Sequence, residues 1–195
     1  MKLAREFYQQ DVLRCARACV GKVLVHRGPA GTVGGRIVET EAYRGEEDLA
    51  CHAARGRTAR TEAMYGPPGH VYMFLLYGMH WAFNIVVGPR DHPHAILIRA
   101  LEPTVGVAVM ARRRGLSPGD RRVANGPGKL CAALGLDRRH YGADLCAGPV
   151  ELWEGAHGRV GRSPRINVDY AGAWAARPWR FFERGNPYVS VPPRD

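Results

Sequence analysis

The run Lys22-Val23-Leu24-Val25-His26, the tetrapeptide Gly28-Pro29-Ala30-Gly31 and the run Gly35-Arg36-Ile37-Val38-Glu39-Thr40-Glu41 together determine how the chain begins its sheet. Valines at alternate positions make 22–26 a strand, the glycine–proline cluster is a turn signal, and 35–41 reads as a second strand, so the two pair as a hairpin. The alternation carries on to Tyr43. Glu39, Glu41 and Tyr43 fall on one face of the strand, and Val38, Thr40 and Ala42 on the other. Period-two spacing alone would make the acidic face an ordinary solvated one. Its setting argues otherwise: the carboxylates stand at the mouth of a basic, glycine-rich stretch and are followed by strands rich in Tyr, Phe and Trp.

Upstream of the hairpin, Asp11 is placed to cap a helix running to about residue 20, with Val12, Leu13, Ala16 and Cys19 or Val20 on one face. Downstream, 44–69 is polar and glycine-rich and contains Arg55-Gly56-Arg57-Thr58-Ala59-Arg60; its length without periodicity predicts a functional loop. Residues 70–76 and 80–87 read as strands joined by a turn at Tyr77-Gly78-Met79, and 95–101 as another strand. Residues 105–114 predict a helix closed by Gly115. Pro127 opens a short helix that ends before Gly135, and 150–154 is a strand. From Ser163 onward the sequence predicts irregular chain, with Trp174, Trp179, Phe181 and Phe182 available to cover the core. With hairpin-linked strands, no repeat and no linker, the expected architecture is α/β mixed (α+β). It is a single domain, 1–195, with a largely antiparallel curved sheet flanked by short helices.

The 195 residues suffice for one sizeable core. An apolar share of 46% and a charged share of 24% are those of a globular protein. No apolar run is long enough for a spanning helix, and residues 1–6 lack the apolar core of a signal peptide. The expected location is therefore cytoplasmic (nucleoid-associated in a bacterium), without membrane contact. The formal net charge is +10, and Lys2, Lys22 and Lys129 are the only lysines, so the excess is arginine. Arginine forks suit phosphate, and neutralised phosphates release counterions; a GC-rich genome would also enrich arginine codons. The five cysteines, Cys15, Cys19, Cys51, Cys131 and Cys146, are odd in number and lack paired spacing, which favours neither a disulfide framework nor a metal site. Neither a metal nor another cofactor is expected.

Flat rings, a basic loop and paired carboxylates suit one task well. An extruded nucleobase stacks on aromatic rings for about 1–3 kcal/mol, an inserted side chain fills the gap it leaves, and a carboxylate can deprotonate a water that attacks the sugar. The sequence also resembles the alkyladenine (3-methyladenine) DNA glycosylase family. The resemblance lies in Val38-Glu39-Thr40-Glu41-Ala42-Tyr43 with Gly45 and His52, in 71–80 ending at Asn84, in 97–103, in 125–131, and in 163–166, 170–172, 180–182 and 185–187. These blocks lie in one order from about residue 3 to residue 191.

That resemblance implies a monofunctional glycosylase, expected as a monomer, that acts on double-stranded DNA containing damaged purines. It implies Glu41 as the general base, with Arg99 and the backbone carbonyl of Ile166 holding the attacking water. Tyr43, His52 and Phe74 would contact the flipped base, Asn84 would exclude guanine by crowding its exocyclic amino group, and Tyr77 would be the wedge. Lys129, Arg55, Arg57 and Arg60 are the candidate backbone contacts. Phe74 departs from the tyrosine expected there, which keeps the ring and loses a hydroxyl. His140 and His157 read as solvated loop residues. A strand-cleaving lyase needs an amine nucleophile, and Lys129 is the one lysine in a plausible region. The alternative is a non-catalytic module that recognises distorted DNA; Glu41 separates the two, because an anion serves no purpose in binding a polyanion.

Overall fold

The computed structural model describes residues 1–156 and 158–192; His157 lies outside the described residues. Short helix α1 (Arg5–Tyr8) leads into α2 (Val12–Cys19), whose start is fixed by Asp11: its carboxylate accepts from the backbone N–H of Leu13 and Arg14, a cap worth about 1 kcal/mol. The buried stripe of α2 is Val12, Cys15, Ala16 and Cys19. Strands β1 (Val23–Gly28) and β2 (Gly31–Arg44) form the expected hairpin. β3 (Val71–Leu76) and β4 (His80–Val87) form a second hairpin, and β5 (His94–Val105) follows. Helices α3 (Val107–Arg114) and α4 (Pro127–Leu134) precede β6 (Val150–Trp153), β7 (Val160–Ser163) and β8 (Arg180–Glu183).

Among the described residues the eight strands form one antiparallel sheet in the order β3-β4-β5-β2-β1-β6, with β8 bridging β2 and β7. The architecture is the α+β one expected, with a curled sheet and short helices. One face carries Ile37, Ala42, Ile85, Ile96 and Ile98 into the principal core with α2 and α4. Thr40, on that face, donates its hydroxyl proton to the Ala16 carbonyl at 2.9 Å and so pins β2 to α2. β2 bends where it needs glycine: a Cβ on Gly35 would lie 2.5 Å from the Glu102 carbonyl oxygen.

Three expectations are corrected. The helix expected at 105–114 begins at Val107, because β5 continues through Val105 and the chain turns at Gly106, whose φ is +61°. The end of the chain is not irregular throughout, since β7 and β8 lie there. β1 covers the edge of β2 only as far as Arg36, and β8 pairs with the exposed remainder at Glu39, Thr40 and Glu41. His140 is buried, not solvated: its Nε2 lies 3.2 Å from Nε2 of buried His26, whose Nδ1 lies 2.8 Å from the Leu134 carbonyl oxygen.

Candidate active site

The second face of the sheet carries the candidate catalytic side chains. Register places Tyr72 beside Asn84, Asn84 beside Leu97 and Leu97 beside Glu41, a row of side chains across four strands. Glu39 and Tyr43 flank Glu41 along β2, as period two requires. Three irregularities interrupt the β2–β5 ladder, one at Gly34/Gly35 and two that compensate each other: Ile37 pairs with Leu101, Glu39 with Ala100 and Thr40 with Ile98. Val38 is thus the extra residue on β2 and Arg99 the extra residue on β5. Such bulges re-aim side chains, and Arg99 ends between the two carboxylates.

Glu41 has no exposed surface. Its Oε1 accepts from the Ile166 N–H at 2.7 Å, and its Oε2 accepts from the Tyr43 hydroxyl at 2.8 Å and lies 3.3 Å from Arg99 Nη1. Glu39 is equally buried and binds Arg99 Nε at 3.2 Å and Arg180 Nε at 2.6 Å. An isolated buried carboxylate would cost several kcal/mol; two carboxylates beside two guanidiniums balance. Burial disfavours the charge of Arg99, but Glu41 and then Glu39 outweigh it and leave the guanidinium's affinity for its proton raised. Burial, followed by the Glu41 charge, pushes the Tyr43 phenol well above its ordinary range.

The partners of Glu41, namely Tyr43, Arg99 and Ile166, all line a cavity of about 540 Å³. Tyr43, His52 and Phe74 contribute rings to it, and buried Asn84 lies on its wall. His52 meets Phe74 edge to face at 4.4 Å, and its Nδ1 lies 2.9 Å from the Tyr72 hydroxyl. Burial, with help from the Arg60 and Arg55 charges, drops the His52 imidazole to about 4. The Asn84 amide nitrogen donates to the Tyr72 carbonyl at 3.1 Å, which fixes its orientation.

Tyr77 stands at the tip of the β3–β4 hairpin, 77% exposed, with φ at +50°. Arg55, Arg60 and Lys129 are exposed around the cavity side of the molecule; Arg60 lies 5.6 Å over the Phe74 ring, and Lys129 bonds Asn125 at 3.0 Å. Arg57 differs from these three, being paired with Glu62 at 2.6 Å and Asp91 at 3.2 Å. The N-terminal turn of α4, at Pro127 and Gly128, also lines the cavity.

Sequence reasoning gave no role to several residues that build this site. Arg165 binds Asp48 through both nitrogens, at 2.5 and 2.8 Å, and lies 4.8 Å under the Tyr43 ring. It immediately precedes Ile166 and so sets the N–H that reaches Glu41. Arg180, Ser190 and Tyr72 are the others. The available signal was arginine inside apolar or proline-bound runs, at Pro164-Arg165-Ile166 and Trp179-Arg180-Phe181, where a cation must find a buried anion. Among the described residues, no three His, Cys, Asp or Glu side chains cluster as a metal site, and no helix is long and apolar enough to cross a membrane.

The chain is similar to known proteins over nearly its whole length. Residues 6–187 match the family described as methylpurine-DNA glycosylase. A protein of Methanocella arvoryzae is 48% identical over 190 residues, covering 96% of this chain and 95% of its own. A protein of Anaeromyxobacter dehalogenans is 46% identical over 196 residues, covering 99% of this chain and 87% of its own. One from Myxococcus xanthus is 46% identical over 194 residues, covering 98% and 94%. All three bear the name "Putative 3-methyladenine DNA glycosylase". The class defined is that of the DNA-repair glycosylases. Within it, this chain belongs to the methylpurine-DNA glycosylase family.

Proposed function

We propose that the protein flips an alkylated or otherwise damaged purine out of duplex DNA and hydrolyses its N-glycosidic bond with a water activated by Glu41, leaving an abasic site. The observation that carries this reading is the Glu41 carboxylate, held by the Tyr43 hydroxyl, the Ile166 N–H and Arg99 directly behind a ring-lined cavity. A carboxylate has about four acceptor positions, so Glu41 keeps capacity for a water. Because its oxygens have no exposed surface, a small shift of Tyr43 or Arg99 must admit that water.

The cavity's electrostatics favour cationic bases. Alkylation at N3 or N7 makes the purine positive and a good leaving group that needs little acid assistance. Tyr43 and Phe74 offer π faces to such a base, and His52, held neutral well below pH 7, does not repel it. Glu41 also favours the positive charge that develops on the sugar as the bond breaks. Tyr77, free in solvent at the hairpin tip, is placed to fill the gap in the stack, and Asn84 to crowd an exocyclic amino group. Arg55, Arg60 and Lys129 supply cations for the flanking phosphates.

The test is release of free base from duplexes that each carry one defined lesion, by the natural protein and by Glu41→Gln. The variant is expected to bind the lesion duplex normally and to lose about 10²–10⁴-fold in excision rate. Natural rates in Glu41→Gln would remove Glu41 from the chemistry. No release by the natural protein on any damaged purine would leave only a DNA-binding role.

A further inference from the structure

We infer that Glu39 is a positioning residue for base removal: it holds the Arg99 guanidinium against Glu41 and ties the segment after β8, at Ser190, into the same charge cluster. This rests on the reading of Glu41 given above. Glu39 Oε1 accepts from Arg180 Nε at 2.6 Å, Ser190 Oγ at 2.9 Å and Arg99 Nε at 3.2 Å, and Oε2 accepts from the Ser190 backbone N–H at 2.6 Å. Oε1 thus takes three donors and Oε2 one, all of them protein groups. Glu39 is fully buried and engaged by two guanidiniums and the Ser190 segment, whereas Glu41, two residues along the same face, meets one guanidinium.

Its effect passes through Arg99. The guanidinium is a rigid plane: Nε is fixed by Glu39, and Nη1 of the same plane reaches Glu41 Oε2. Without the anchor at Nε, the long side chain recovers the rotamer freedom it lost on folding and can swing away from Glu41. Charge points the same way. Removing the Glu39 charge leaves Arg99 and Arg180 facing one buried carboxylate.

The third part is the segment after β8. Ser190 clamps Glu39 with side chain and backbone, and Arg180 Nη2 donates to the Val191 carbonyl. Ser190 and Val191 also line the cavity. The segment is thus a wall of the base pocket and, through Glu39, a brace for the arginine beside the general base.

The experiment is single-turnover excision from a duplex bearing one 7-methylguanine, across a range of protein concentrations, with Glu39→Gln and Ser190→Ala. Glu39→Gln keeps the shape and removes the charge. Its maximal rate is expected to fall about 100-fold, the scale of a misplaced catalytic geometry, at an unchanged half-saturating protein concentration. Ser190→Ala keeps the backbone N–H and should lose roughly 3- to 10-fold on the same grounds. A folded Glu39→Gln with natural maximal rate overturns the inference, as does a loss confined to half-saturation. Should Glu39→Gln fail to fold, natural kinetics in Ser190→Ala overturn it instead. Absence of base release by the natural protein would sink the Glu41 reading and this one together; natural excision with unaffected variants would sink this one alone.

Discussion

The Tyr43 hydroxyl donates a 2.8 Å hydrogen bond to Glu41 Oε2, joining a ring of the cavity wall to the buried carboxylate behind it. The Arg165 guanidinium lies 4.8 Å under the same ring, and the next residue, Ile166, donates its N–H to the other oxygen of Glu41. Ring and carboxylate are therefore set by one shared group of contacts. A base that settles on Tyr43 acts on the side chain that touches Glu41.

Substitutions at Tyr43 separate ring from hydroxyl. Tyr43→Phe keeps the stacking surface and should leave the half-saturating concentration for lesion duplex nearly unchanged. Tyr43→Ala removes the ring and should raise it about 10- to 100-fold, the equivalent of about 1–3 kcal/mol of stacking. Burial keeps the Tyr43 phenol protonated well above its ordinary range, so excision by the natural protein should show no loss from this group as pH rises through 10. Equal losses in the two variants would show that the hydroxyl, not the ring, holds the base.

The acidic face of β2 was legible because period two forces Glu39, Glu41 and Tyr43 together whatever the partner strands. The β3–β4 hairpin was legible because two apolar runs flank a glycine turn. β8 was not: Arg180-Phe181-Phe182-Glu183 has no alternation, and its place comes from an edge of β2 far away in sequence. His140 was misread for the same reason, since its partner His26 sits 114 residues away on β1. The coupling of Glu39 to Ser190 likewise joins two segments 151 positions apart in the sequence.

Tyr77 trades stability for an exposed ring. Its φ of +50° lies in the left-handed region, which costs a non-glycine residue about 1–2 kcal/mol, and its exposed ring offsets little of that by packing. Glycine relieves this strain but adds about 0.5–1 kcal/mol of unfolded-chain entropy. Tyr77→Gly should therefore melt at or slightly above the natural temperature while excising more slowly from duplex DNA. Excision from single-stranded lesion DNA, where no gap needs filling, should hardly change. A marked drop in melting temperature would mean the ring is packed, not presented.

His52 makes stability depend on pH. The folded protein holds its imidazole neutral down to about 4, whereas the unfolded chain takes up the proton near pH 6.5. The unfolded state thus binds more protons within that window, and stability falls as pH drops from about 6.5 towards about 4. Buried His26, lowered chiefly by desolvation, acts in the same direction. Melting between pH 7 and pH 5 should show the decline, and His52→Gln should flatten it. A slope unchanged in that variant would mean His52 is solvated in the native protein.

The arginines of the 44–69 loop are not equivalent. Each exposed cation that neutralises a phosphate contributes about one unit to the slope of log affinity against log salt. Arg55→Ala, Arg60→Ala and Lys129→Ala should each lower that slope by about one on an undamaged duplex. Arg57 already faces Glu62 and Asp91, at 2.6 and 3.2 Å, so its local cluster is net negative before DNA arrives. Arg57→Ala should leave the slope nearly unchanged. A loss as large as that of Arg60→Ala would show that DNA breaks both ion pairs to recruit Arg57, and that the loop rearranges on binding.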